Sequence, residues 1–313
     1  MIEVACFGEP LVGFYATERG KNVRSFIRVI GGDTSNVALA ISKLAHSVKY
    51  ITKIGDDVFG NMIKETWKKA NVDVSDVFID PYHHTGVYFT FFDDNGEHRF
   101  VYLRKNSAAS NFTVKDAERV SLEGVKIFHL SGISQAISKD CLEASFYFMR
   151  RCKELNILIS YDVNYRETLW SKELFKSVAW FTIGEFADIL TLNLKEAEYL
   201  GLKGEPEDIV KTLLKKGPSF VALKLGKDGC VIGSTREGIT RGKAFNVTVK
   251  DTVGAGDAFT AALIVGILEN MNLNYMVSFT NAVAAMVCRS TGSTDGQPTR
   301  KEVEDVLKGE INL

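Results

Sequence analysis

Short apolar runs and amphipathic stretches alternate along most of this chain. Val4–Phe7 is a four-residue apolar run closed by Gly8, and residues 48–52 form a second run that ends before Gly55. Between and after them, 34–44 and 59–70 repeat apolar residues at helical spacing. The alternation continues with an apolar run at 125–130 before Gly132, then a helix from an N-cap at Ser138 to about 155. A buried strand at 157–163, a helix at 171–181 and an extended run at 189–192 follow. The clearest unit starts at Glu205-Pro206-Glu207-Asp208, where proline and acids suit a first helical turn. Ile209, Val210, Leu213 and Leu214 supply its apolar stripe, Lys215-Lys216-Gly217 closes it, and 220–225 is the next strand. Strands apolar on both faces, each followed by a helix, predict an α/β fold with a mostly parallel sheet and helices on both sides.

One region has a different period. Val87–Phe92 and His98–Leu103 flank Asp93-Asp94-Asn95-Gly96, and Asn-Gly between two β-prone runs signals a tight hairpin. A second extended pair lies at 11–16 and 25–29. These pieces, about 11–30 and 86–105, predict a small antiparallel sheet within a single domain spanning 1–313. Such a sheet either covers a site as a lid or decorates an edge of the main sheet.

Composition narrows the function. The 313 residues hold 38 basic and 39 acidic side chains, a net charge of −1. That balance argues against nucleic acid as the main partner and leaves no polybasic patch for an anionic membrane. No apolar run reaches the ~18 residues of a membrane span. The five cysteines, Cys6, Cys141, Cys152, Cys230 and Cys288, form no CxxC and read as reduced thiols. The acidic, strand-like start and these thiols point to a cytoplasmic protein.

The chemistry concentrates at glycine turns. In Asp251-Thr252-Val253-Gly254-Ala255-Gly256-Asp257, two glycines stand where an extended segment becomes a helix, at 261–268. Free N–H groups and the helix dipole favour a phosphate there, and Asp257 is suited to be the base for an attacking hydroxyl. The alternative is a plain turn with Asp257 as a helix cap. Gly31-Gly32-Asp33-Thr34-Ser35-Asn36 is a second glycine turn at a helix start, where Asp33 or Asn36 either binds sugar hydroxyls or caps the helix. Asn193 and Glu196, three apart on one helix face, suit a hydrated Mg²⁺ or a capping box. Lys224-Leu225-Gly226-Lys227-Asp228-Gly229 follows a strand and either runs beneath nucleotide phosphates or is a β-turn. No P-loop, GxGxxG, HExxH or GxSxG is present, which weakens P-loop enzymes, dehydrogenases, zinc sites and serine hydrolases.

Taken in order, these words resemble the ribokinase-like (PfkB) carbohydrate kinase family. Gly31-Gly32 with Asn36 and Ala38, then Gly55-Asp56-Asp57 with Phe59-Gly60, match its N-terminal pattern. The 251–257 segment matches its C-terminal signature, and Asn193/Glu196 its NxxE element. The resemblance implies a three-layer α/β/α domain with a β-sheet lid. It implies ATP as donor, Asp257 as base and the Gly254, Ala255 and Gly256 backbone as anion hole. It further implies Mg²⁺ held through water by Asn193 and Glu196, with Lys224, Gly226 and Gly229 along the nucleotide and Asn281 near adenine. Gly32, Asp33, Asn36, Tyr88, Tyr102, Arg104 and Arg166 are the expected sugar contacts. A monovalent-cation loop at Asp251 and Val253 and a homo-oligomer formed through the lid are further expectations.

Within the family the chain is most similar to 2-keto-3-deoxygluconate kinases, through Gly8-Glu9-Pro10, the 102–110 segment, Asp162-Val163-Asn164-Tyr165-Arg166 and Leu169-Trp170. Asp33-Thr34 departs from the Ala-Glu pair often found after the paired glycines. Fructokinases share the Asp-x-Asn-x-Arg element. A physical argument favours a sugar acid: Arg104 and Arg166, converging on one pocket, would match a carboxylate, for which a neutral hexose has no counterpart. The alternative is that they bind phosphate or form surface ion pairs.

Overall fold

Seven strands lie parallel and side by side because helices shield both of their faces. The structure, a computed structural model, describes all residues except 1, 21, 94–97, 295, 312 and 313, so the Asn95-Gly96 turn lies outside the described residues. The strands are β1 (Val4–Phe7), β2 (Leu11–Arg19), β3 (Phe26–Gly31), β4 (Val48–Gly55), β5 (Val77–Asp80), β6 (Val87–Phe92), β7 (His98–Leu103), β8 (Ile127–Ser131), β9 (Leu158–Asp162), β10 (Ile189–Asn193), β11 (Phe220–Lys224), β12 (Cys230–Ser234) and β13 (Gly238–Gly242). The helices are α1 (Asp33–Lys43), α2 (Val58–Lys69), α3 (Val114–Ala117), α4 (Gly132–Ala136), α5 (Lys139–Glu154), α6 (Lys172–Glu185), α7 (Leu194–Tyr199), α8 (Pro206–Leu214), α9 (Ala255–Leu268), α10 (Leu273–Val287) and α11 (Arg300–Leu307).

The main sheet runs β13-β12-β11-β10-β9-β8-β1-β4-β5. Strands β5 through β11 in that order are parallel, and β12 and β13 continue antiparallel at one edge. One apolar core packs α1, α2, α9, α10 and α11 against the sheet, and a second packs α5, α6 and α8 on its other face. The architecture is the expected α/β/α. The antiparallel edge was not read from the sequence, because no α-helix separates β11 from β12 or β12 from β13.

The α9 helix starts at Ala255, six residues before the stretch expected from its apolar run. Gly254 occupies the N-cap with φ +84°, a left-handed conformation that glycine adopts without strain. Asp257 therefore lies inside the first turn and is not the cap. From Ala258 to Gly266 this helix is buried on all sides, which explains its unbroken apolar sequence.

The second sheet runs β3-β2-β6-β7, with β2 and β6 parallel and the other pairs antiparallel. The chain passes between the two sheets four times: after β1, after β3, before β6 and after β7.

Candidate active site

Ligands in open parallel sheets bind beyond the carboxyl ends of the strands, and a cavity of about 420 Å³ opens there. Glu9 follows β1, Asp162 ends β9 with Asn164 and Arg166 just beyond, Asn193 and Glu196 follow β10, and Lys224 ends β11. All of them line the cavity. The small sheet covers it with Leu11, Tyr88, Phe100 and Tyr102, and Arg104 enters from just past β7.

The glycine turn and the start of α1 meet at this cavity. Asn36 Nδ2 donates to Asp257 Oδ2 at 2.7 Å. Asp257 is half-buried, and its carboxyl is pushed up to about 7 by desolvation first and then by the Asp33 carboxylate. The Asn36 hydrogen bond and, more weakly, Lys224 oppose that rise. Val253, Gly254 and Gly256 line the cavity beside it, while Ala255 belongs to the same turn. Asp251 ties this loop down by accepting from Val253 N at 3.0 Å and Gly292 N at 2.9 Å.

Asp33 sits at the point where strand order reverses, between β1 and β8. Its Oδ2 accepts from Ser131 Oγ and, at 3.1 Å, from Asn164 Nδ2. Its Oδ1 is buried with no partner among the described residues, as is Asn36 Oδ1. Burial raises the Asp33 carboxyl above the usual range, against the pull of Ser131. Two free acceptors facing one cavity fit the hydroxyl donors of a sugar.

Around the other end, Lys224 Nζ pairs with Asp162 Oδ2 at 2.8 Å, and Thr260 Oγ1 donates to the same oxygen at 3.1 Å. Lys224 is buried, yet Asp162 and Glu196 outweigh the cost of burial and raise its pKa. The ammonium lies beside the glycine turn, 3.7 Å from where a Cβ on Gly256 would stand. Asn193 and Glu196 form a reciprocal capping box: Asn193 Oδ1 accepts from Glu196 N and Glu196 Oε2 from Asn193 N, both at 2.9 Å. The capping box is present, and both residues of the pair also line the cavity. Burial and the nearby Asp162 push the Glu196 carboxyl upward.

Two expected nucleotide contacts stand apart from the cavity wall. Asn281 is buried on α10 and directs Nδ2 at Cys230 Sγ, 3.4 Å away. Gly229 abuts Gly242, and Gly242 in turn abuts Asn281. Gly226 alone of that loop's glycines lines the cavity. Arg166 is exposed at the rim with Nη1 on its neighbour Tyr165 O at 2.9 Å, free of any carboxylate among the described residues. Arg104 is buried, packs 5.3 Å from the centre of the Tyr102 ring and pairs with Glu9. Sequence reasoning quoted Glu9, Asp162 and Asn164 but gave them no role, and it missed Ser131. The available signal was position: each stands at or just beyond the end of a buried parallel strand.

A cavity at the strand ends, a half-buried carboxylate of raised pKa and a glycine turn at a helix start together suit a phosphotransferase acting on a polyhydroxylated substrate. Residues 1–300 match the pfkB family carbohydrate kinase model, and the chain belongs to that family. The 2-dehydro-3-deoxygluconokinase of Bacillus subtilis is 33% identical over 99% of this chain and 96% of its own length. Fructokinase-1 of Zea mays is 30% identical over 97% of each chain. Among solved structures, a sugar kinase from Pyrococcus horikoshii in complex with ATP matches with a TM-score of 0.82 at 30% identity over 96% of both chains.

Proposed function

We propose that this carbohydrate kinase transfers the γ-phosphoryl group of ATP to the 6-hydroxyl of 2-keto-3-deoxy-D-gluconate. The observation that carries the reading is the convergence of two guanidinium groups, Arg104 and Arg166, on the sugar end of the cavity. Arg104 Nε is buried with no partner among the described residues, which calls for an acceptor on the ligand. A carboxylate satisfies it with a charge-assisted hydrogen bond. Similarity to the Bacillus subtilis enzyme supports the same substrate, and the ATP complex of the Pyrococcus kinase supports ATP as donor.

In the reaction, Asp257 accepts the proton of the 6-hydroxyl as its oxygen bonds to the γ-phosphorus and the bond to the β-phosphate oxygen breaks, releasing ADP. The N–H groups of the 254–257 turn and the Lys224 ammonium hold the transferring phosphoryl oxygens. Among the described residues no group of three acidic, histidine or cysteine side chains is placed to hold a metal. Asp162 Oδ1, buried and unpartnered, and Glu196 do fit a cation held through water and phosphate oxygens. Mg²⁺ bound there would neutralise triphosphate charge. Gly229 and Asn281, beyond the cavity wall, are reserved for the base end of the nucleotide. The small sheet acts as a lid that excludes water, and its exposed Ile27, Phe100 and Leu103 supply a surface for a second copy of the chain.

The decisive experiment is ADP release over a panel of aldoses, ketoses and keto-deoxy acids. Turnover with 2-keto-3-deoxygluconate should exceed that with fructose or ribose by at least about tenfold in kcat/KM, one carboxylate contact's worth. Equal or better turnover of fructose refutes the sugar-acid reading and favours the fructokinase alternative.

A further inference from the structure

The buried carboxylate of Glu9 plays no part in the transfer described above, yet it lies where the two sheets are joined. The residue is 1% exposed and meets all four chain passages between them, two through its backbone and two through its carboxylate. Its own backbone forms the first, between β1 and β2. At the second, Gly32 adopts φ +109°, and a Cβ there would stand 2.3 Å from the Glu9 carbonyl oxygen. At the third, a Cβ on Gly86 would stand 3.3 Å from Glu9 Oε1. At the fourth, Ser107 Oγ donates to Oε1 at 3.2 Å and Arg104 Nη2 pairs with Oε2.

That pairing engages Nη2 of the Arg104 guanidinium and leaves Nε buried and unpartnered among the described residues, while the residue itself lines the cavity. A guanidinium is a planar fork, so fixing one edge fixes where the other points. The pair is also close to neutral as a unit, so Arg104 meets the ligand as an oriented donor more than as a net charge. Arg166, with no carboxylate partner among the described residues, supplies that charge.

We propose that Glu9 is the positioning residue of the sugar site, its carboxylate holding Arg104 in register with the cavity and tying together the passages that enter β6 and leave β7. This rests on a sugar occupying the Arg104 end of the cavity and does not depend on which sugar it is. The test is a double-mutant cycle of Glu9→Ala and Arg104→Ala, run with whichever sugar the wild type turns over best. Glu9→Ala should raise KM for the sugar by about tenfold while kcat falls less than about threefold and KM for ATP stays within about twofold. In the Arg104→Ala background the same change should add less than about twofold. Glu9→Gln, which keeps one oxygen for Arg104 and turns its amide NH2 toward Ser107, whose hydroxyl can accept, should recover much of the loss in KM. If Glu9→Ala fails to fold, Glu9→Met, which fills the same space without an acceptor for Arg104, is carried through the cycle in its place with the same expected values. Losses that multiply in the double variant, or a fall in kcat with KM unmoved, overturn the positioning role. A preference for fructose in the panel overturns only the substrate reading, because the cycle is then read with fructose.

Discussion

With Asp257 as the proposed base, its hydrogen bond from Asn36 helps to set the pH at which that base is available. Asp257 is useful as a carboxylate, and its pKa is raised to about 7. Activity should therefore be lost on the acid side, with the ionised fraction falling to about a tenth one unit below the pKa. Asn36 favours the charged form through a contact of 2.7 Å. A hydrogen bond to a charged acceptor contributes about 1.5–3 kcal/mol. At about 1.36 kcal/mol per unit, its complete loss would raise the pKa by about 1–2 units. Water entering the space vacated by Asn36→Ala restores part of that, so the expected shift is about one unit upward. The assay is kcat/KM for the sugar against pH at fixed Mg-ATP, wild type and Asn36→Ala side by side. The variant's deficit should be about fivefold larger at pH 7 than about two units higher, where only the lost sugar contact of Oδ1 remains. A deficit of equal size at every pH would refute the reasoning. Asn36 would then act only through the sugar, by way of its unpartnered Oδ1.

Three further outcomes follow from the same geometry. Asp257→Ala should lower kcat by at least about 10², the low end for general-base catalysis, with ATP affinity largely kept; near-normal turnover removes Asp257 from the mechanism. Glu196→Gln should raise the Mg²⁺ concentration needed for half-maximal rate, because a negative charge leaves the cation's surroundings; an unchanged titration reduces Asn193 and Glu196 to a cap on α7. Arg166→Ala should raise KM for 2-keto-3-deoxygluconate by about 10- to 100-fold, at about 1.4 kcal/mol per decade, with KM for ATP nearly unaltered; an alcohol analogue lacking the carboxylate should be a poor substrate and lose little further in the variant.

The order of elements was legible in the sequence because parallel strands are short apolar runs and their helices carry N-caps. Ser138 accepts from the first turn of α5, as its position suggested, and Ser171, read as the first helical residue, caps α6 in the same way. The glycine turns were legible because only glycine combines positive φ with close approach, as at Gly32 and Gly254. Boundaries were less so. The first turn of α9 was hidden because a glycine-rich stretch has low helix propensity, and here burial among α1, α10 and the sheet overrides it.

Pairing between distant residues was the part that no pattern announced. Arg104 and Arg166 were read as equivalent guanidinium groups, since each follows a strand. The structure separates them through a residue nearly a hundred positions away from the first: Arg104 is committed to Glu9, and Arg166 stays at the rim without an acidic partner among the described residues. Asp33, Asp162, Glu196 and Asp257 present the same lesson from the acidic side. In the sequence they are ordinary carboxylates near strand ends and helix starts. In the fold they share one cavity with Lys224, where burial raises the carboxyls of Asp33, Glu196 and Asp257. Chemistry at this site thus depends on which acids are left with an unpartnered oxygen, as Asp33 and Asp162 are, and which are held by a donor, as Asp257 is by Asn36. That distinction is made by packing across the strand-order reversal, where β1 and β8 lie adjacent although more than a hundred residues separate them.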